Sequence, residues 1–257
     1  MISTKKPKVA FFDFAGCEGC QLTVIDALQS HPELLDAVEI VQFREAMSEH
    51  GDDYMVAFVE GSFTRPSDQQ RLDQIRSQAA LVIALGACAH IGGINALRNS
   101  KPLQEIRQYV YKDQADHYEA GKALPISAAI PVDGFIPGCP IDRHEFIRAV
   151  KSLIQGNLPD IPDYPLCVEC KLQENECLFN IGKPCLGPII RAGCGALCTT
   201  YGVGCEGCRG LIPHPNIESL KEVLAECGLS HSMIDAKLTL FTTNELHEFE
   251  VVHHGKR

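Results

Sequence analysis

The chain reads as an α/β protein: a flavodoxin-like doubly wound parallel sheet, followed by a small cysteine-rich domain with little regular structure. Three observations predict this. Short apolar runs of strand length alternate with helical patterns over roughly the first 150 residues. These runs stop at glycine or proline, with cysteine or an acid beside it. Eight of the thirteen cysteines then crowd between Leu166 and Gly210, where apolar periodicity fades.

The elements follow in order. Val9-Ala10-Phe11-Phe12-Asp13-Phe14 is an apolar run ending at Gly16-Cys17, as expected of a strand buried on both faces. Leu22 to Leu28 has helical spacing and is closed by His31-Pro32. Val38-Glu39-Ile40-Val41 is a second strand, and Tyr54 to Val59 a third that stops at Glu60-Gly61. Pro66 to Gln78 is a polar helix with proline at its first position. Ala80 to Leu85 is a fourth strand, ending at Gly86-Ala87-Cys88. Lys112 to Lys122 is polar and expected to be a surface loop, after which the chain reaches Val132 to Pro140. A helix from Asp142 to Gln155 carries Phe146, Ala149, Val150 and Leu153 on one face. Repeated strand–helix units of this length build a parallel sheet.

Gly156 to Pro162 is a proline-rich linker, which divides the chain into residues 1–156 (the sheet domain) and 157–257 (the cysteine-rich domain with C-terminal helices). Leu166 to Gly210 is not expected to form an apolar core; it is expected to fold around metals. A helix follows from Asn216, its N-cap, to Cys227, with Gly228 just beyond. Its apolar stripe of Ile217, Leu220, Val223/Leu224 and Cys227 makes Cys227 a core thiol.

Lys+Arg total 23 against Asp+Glu 33, a formal charge of −10, and no basic patch stands out, so nucleic acid is excluded as a partner. No apolar run approaches the ~20 residues that span a bilayer. Residues 1–7 show no cleavable leader, and a cytoplasmic location is expected. Thiols in that compartment stay reduced, so thirteen cysteines point to metal instead of disulfides.

Cys17, Cys20, Cys88 and Cys139 each lie just past the carboxyl end of an expected strand. In a doubly wound sheet those ends meet at one crevice, where such folds bind ligands. Four thiolates there match the needs of one [4Fe–4S] cube. Cys167, Cys170, Cys177, Cys185, Cys194, Cys198, Cys205 and Cys208 supply ligands for two more, leaving Cys227 over. Other readings stand beside this one. Cys167/Cys170 with Cys205/Cys208 can be drawn as a zinc ribbon, and Cys17/Cys20 as a thioredoxin-like redox pair. Zinc leaves four cysteines of the segment unused, and a redox pair does not explain Cys88 or Cys139.

Gly16-Cys17-Glu18-Gly19-Cys20-Gln21-Leu22, Val59-Glu60-Gly61, Gly86-Ala87-Cys88-Ala89 with Gly92-Gly93, and Pro137-Gly138-Cys139-Pro140 together resemble the small subunit of [NiFe] hydrogenases. The second half, from Cys167-Val168-Glu169-Cys170 through Pro184-Cys185-Leu186-Gly187-Pro188 to Cys198, looks like the cytosolic multi-subunit group, the sulfhydrogenase-like, NAD(P)-linked enzymes. The resemblance runs from about residue 8 to 230. It implies an electron-transfer subunit with three [4Fe–4S] clusters: a proximal one on Cys17, Cys20, Cys88 and Cys139, a medial one on Cys194, Cys198, Cys205 and Cys208, and a distal one on Cys167, Cys170, Cys177 and Cys185. It also implies a separate large subunit holding the nickel–iron site, and flavin/NAD(P)-reducing and Fe–S subunits as further partners. Hydrogen would be split on the large subunit and electrons relayed through this chain. Glu18, between two ligands, and Glu60, at a strand end, are candidates for a proton path or for the subunit interface. A relay in a complex I-like, F420-linked or heterodisulfide-linked complex is the alternative.

Overall fold

The computed structural model describes residues 6–254, so the expectation about the N-terminal leader falls largely outside the described residues. The chain divides into two compact units, Met1–Asp160 and Ile161–Arg257.

The first unit holds a five-stranded parallel sheet built from β1 (Lys8–Asp13), β2 (Glu39–Phe43), β3 (Val56–Glu60), β4 (Leu81–Leu85) and β5 (Gly134–Ile136). Its order is β2-β1-β3-β4-β5, the flavodoxin-like order expected, with the reversal of direction between β1 and β3. The register sets Asp13 opposite Glu60 and Glu60 opposite Leu85, so the three central strands end level with one another. Every residue of β3 is buried, which explains why Val-Ala-Phe-Val reads as a continuous apolar run.

Helices cover both faces: α1 (Gly19–Ser30), α2 (Glu33–Ala37), α3 (Asp68–Gln78), α4 (Gly86–Ile91), α5 (Leu103–Tyr111) and α6 (Arg143–Ile154). On one face Phe11 stacks on Phe43 at 4.4 Å and on Phe58 at 4.9 Å, and Phe146 of α6 closes over them. On the other, Leu72 and Ile75 of α3 pack with Phe12, Tyr54 and Val82. Asp142 caps α6, its carboxylate accepting the Glu145 N–H at 2.8 Å. Lys112–His117 is a short 3₁₀ turn on the surface, with Ala115 its buried residue.

The second unit contains α7 (Cys167–Leu172), α8 (Leu197–Thr200), α9 (Ile217–Glu226) and α10 (His231–His254). Here the structure corrects the sequence expectation, because this unit does have an apolar core. Leu166, Leu178, Leu186, Ile189, Ile190 and Leu211 pack with Ile217, Leu220 and Leu224 of α9 and with Ile234 and Leu238 of α10. The first six sit on short irregular segments, a 3₁₀ turn at Leu178–Ile181 and isolated bridges such as Ile190–Leu211, so no period links them along the chain. Asn216 caps α9 through Ser219 N, as its position foretells. Cys227, at the end of α9, is half-buried and is not among the buried residues of this core.

Candidate metal centres

Three separate turns deliver the first four thiols. β1 runs out into the turn Gly16-Cys17-Glu18, and Glu18 takes a left-handed backbone (φ 63°) so that α1 can begin at Gly19. Cys20 is therefore buried in the first turn of α1 while Cys17 stays exposed. β4 passes straight into α4 at Gly86, which puts Cys88 on the first turn of that helix. β5 ends two residues before Gly138-Cys139. Gly86 has φ +83°, and a Cβ there would collide with the Cys20 sulfur, so only glycine lets the two segments meet. The Ala87 N–H donates to Gly138 O at 2.7 Å, locking the Cys88 turn to the Cys139 turn.

The four thiols lie within electrostatic reach of one another. Cys20 feels Cys139 and Cys88, Cys88 feels Cys139 and Cys17, and Cys139 feels Cys17. Burial, reinforced by these neighbours and by Glu60, pushes Cys20 far above the ordinary thiol value and Cys88 up to about 11. A thioredoxin-like pair of Cys17 and Cys20 does not account for Cys88 and Cys139, which the structure brings in beside them. Thiols held this way ionise when a metal cation supplies the compensating charge.

Glu60 is 3% exposed. Its two carboxylate oxygens accept the N–H groups of Cys20 and Gln21, each at 3.1 Å. Burial raises its pKa above the ordinary carboxylate value, opposed by those donors. Glu18 is half-buried at the turn between the two cysteines. Asn95, which carries no motif, donates from Nδ2 to Ala15 O at 2.9 Å, to Ser62 Oγ at 3.1 Å and to Cys88 Sγ at 3.8 Å.

In the second unit, Cys167, Cys170, Cys177 and Cys185 line one cavity with Leu166, Lys171, Phe179 and Gly187. Burial and the other three thiols raise Cys167 to about 11. The Cys185 sulfur accepts the Gly187 N–H at 3.4 Å and the Cys205 N–H at 3.2 Å. The Asn175 amide approaches Cys170 Sγ at 3.8 Å. Cys205 is almost wholly buried, its thiol raised by desolvation and by Cys185, Cys208 and Cys194. Cys198 is exposed on α8, one turn beyond Cys194. Glu169 ties the segments together, its Oε1 accepting the Gly193 N–H at 2.9 Å.

The donor chemistry fits iron–sulfur groups. Four thiols gather at the carboxyl ends of the sheet and four more line one cavity of the second unit, glycines let the main chain pass close by, and amide N–H groups point at sulfur. Among the described residues, no group of three or more His, Cys, Asp or Glu is arranged to hold a single metal ion.

A glycine-punctuated crevice of thiols at the carboxyl ends of a doubly wound sheet defines a class. The chain belongs to the family described as NADH ubiquinone oxidoreductase, 20 Kd subunit, whose model matches residues 17–153, and within it to the hydrogenase subunits. Among particular proteins it is similar to the sulfhydrogenase 2 subunit delta of Pyrococcus furiosus, 36% identical over 237 residues, which cover 91% of this chain and 98% of that one. The NAD-reducing hydrogenase HoxS subunit delta of Cupriavidus necator is 27% identical over 175 residues, which cover 61% of this chain and 83% of that one. In fold, the chain resembles the solved NAD+-reducing [NiFe]-hydrogenase in the H2-reduced state, with TM-score 0.55, 23% identity, and coverage of 62% of this chain and 96% of that one. It also resembles the actinobacterial-type NiFe-hydrogenase of Ralstonia eutropha H16, with TM-score 0.56, 16% identity, and coverage of 96% and 91%. Among the described residues no helix is long and apolar enough to cross a membrane.

Proposed function

We propose that this chain is the electron-transfer small subunit of a hydrogenase complex that holds three [4Fe–4S] clusters and contains no site for splitting hydrogen. The observation that carries the reading is the meeting of Cys17, Cys20, Cys88 and Cys139, from three distant turns, at the carboxyl ends of β1, β4 and β5. Those four hold the proximal cluster, which faces the nickel–iron site of a large subunit. Cys194, Cys198, Cys205 and Cys208 hold the medial cluster. Cys167, Cys170, Cys177 and Cys185 hold the distal one, from which a flavin/NAD(P)-reducing or Fe–S subunit draws electrons. The division of labour follows the domains: the sheet domain carries the first cluster, the C-terminal unit the other two.

A [4Fe–4S] cube supplies reversible uptake of one electron. The protein's own residues shape the surroundings. Gly86 and Gly138 bring main chain close, Asn95 and Asn175 aim amide N–H groups at ligand sulfur, and Glu60 fixes the start of α1. Sulfur-only ligation and an acidic chain favour low potentials, which suit a nicotinamide or ferredoxin acceptor.

The test is anaerobic purification with partner subunits. About twelve iron and twelve sulfide per chain, together with a co-purifying nickel subunit and hydrogen-dependent dye reduction, are expected. Zinc without sulfide overturns the cluster reading. Clusters without a nickel partner favour the relay of another redox complex, a reading supported by the matched family's description.

A further inference from the structure

The C-terminal unit buries a cation that the relay as described does not use. Arg209 follows Cys208 directly and is only 2% exposed. Guanidinium does not shed its proton in proteins, so its charge stays in the interior. Its Nε donates to the Ala192 carbonyl at 2.7 Å, two residues before Cys194. One side chain thus spans two loops, one bearing Cys194 and Cys198, the other Cys205 and Cys208. The charge is felt at sulfur: burial raises the Cys194 thiol, and Arg209 is the first influence that opposes it. Other charges nearby include Glu169 beside Cys194, and Arg191, which senses Glu245, Asp163 and Arg209.

The geometry points to Arg209 as the residue that sets the reduction potential of the cluster held by Cys194, Cys198, Cys205 and Cys208, by keeping a permanent positive charge buried between the two ligand loops. The inference rests on the proposal that these four cysteines hold a [4Fe–4S] cube. Such a cube is one unit more negative when reduced, so a neighbouring cation stabilises the reduced form more and raises the potential. Arg209 also clamps the loops through Ala192, and the two roles separate by substitution. Gln in its place keeps a donor without charge, and Lys keeps charge without the planar fork.

The experiment is an EPR-monitored redox titration of the intact anaerobic complex, with iron and sulfide counted for wild type, Arg209→Gln and Arg209→Lys. Cys198→Ala identifies which signal belongs to this set. In Arg209→Gln that one centre is expected to shift to more negative potential while the other two stay in place, and in Arg209→Lys it returns towards wild type. If Arg209→Gln loses the centre while Arg209→Lys retains it near its native potential, the charge role also holds. Unmoved potentials in a fully loaded Arg209→Gln complex overturn the inference alone, as does loss of the centre from both variants. Absence of this centre from the native complex overturns the relay reading and this inference together.

Discussion

The Glu60 carboxylate at the end of β3 accepts the main-chain N–H of Cys20 at 3.1 Å. Forty residues separate the two in sequence, yet the bond supplies what α1 lacks locally, since Glu18 at its N-cap position makes no side-chain cap. A negative group at a helix N-terminus is favoured by both the free N–H donors and the helix dipole. Glu60 therefore anchors the turn that carries Cys17 and Cys20 from the sheet beneath it.

Glu60→Ala is expected to leave two buried N–H groups without acceptors, costing about 2–6 kcal/mol at ~1–3 kcal/mol for each group. Glu60→Gln keeps one acceptor oxygen and is expected to cost less. Chemical unfolding of the anaerobic protein measures both, and the rate of iron loss should follow the same order. Equal stability of the alanine variant and wild type would count against the anchor.

Gly86→Ala places a methyl group against the Cys20 sulfur at a backbone φ of +83°. The expected outcome is loss of the first cluster, a fall of about four iron from about twelve. Cys88→Ala should give the same deficit. Cys227→Ala should leave the count unchanged, because Cys227 lies apart at the end of α9. Iron analysis with EPR decides between these.

Asn95→Leu and Asn175→Leu each remove an amide N–H that approaches ligand sulfur at 3.8 Å. Such donors favour the more negative, reduced state. Taking one hydrogen bond as ~1 kcal/mol and a tenfold change as 59 mV, each loss should lower one centre by about 40 mV. Redox titration should show a different centre moving in each variant.

Burial raises the Glu245 carboxyl from 4.5 to about 7. Its neutral form is thus favoured in the fold, and its contribution to stability is fully present below about pH 4.5 and lost as pH rises through 7. Glu245→Gln removes this dependence. At pH 8.5 the variant should be more stable than wild type by about 1–3 kcal/mol, with the gap narrowing at pH 5. Guanidinium unfolding at the two pH values checks the sign.

The centre of the sheet was legible because β1, β3 and β4 are largely buried runs of Val, Ile, Leu, Phe and Ala that stop at glycine or at an acid. The ends bearing Cys17, Cys88 and Cys139 could be placed together from strand order alone. Much of the second unit was not legible. α10 hides its pattern: after Ile234 and Leu238, the buried residue on the next turn is Thr242, where the helix kinks (φ −104°, ψ 21°). One turn further, half-buried Glu245 receives the Leu211 N–H at 3.1–3.2 Å. Two polar residues on the core side erase the apolar stripe. Asn95, Asn175, Glu169 and Arg209 escaped for another reason. Asn95, Glu169 and Arg209 reach Ala15, Gly193 and Ala192 across long stretches of chain, and Asn175 meets Cys170 five residues away in a loop without periodicity, so no spacing announces any of these contacts.

β4 gives way to α4 with no intervening loop, and Cys88 stands on that joint. A thiol mounted on such a joint would have little room to swing if an iron that it held changed oxidation state. On the proposed function, nuclear rearrangement per electron at this end of the path is then expected to be small.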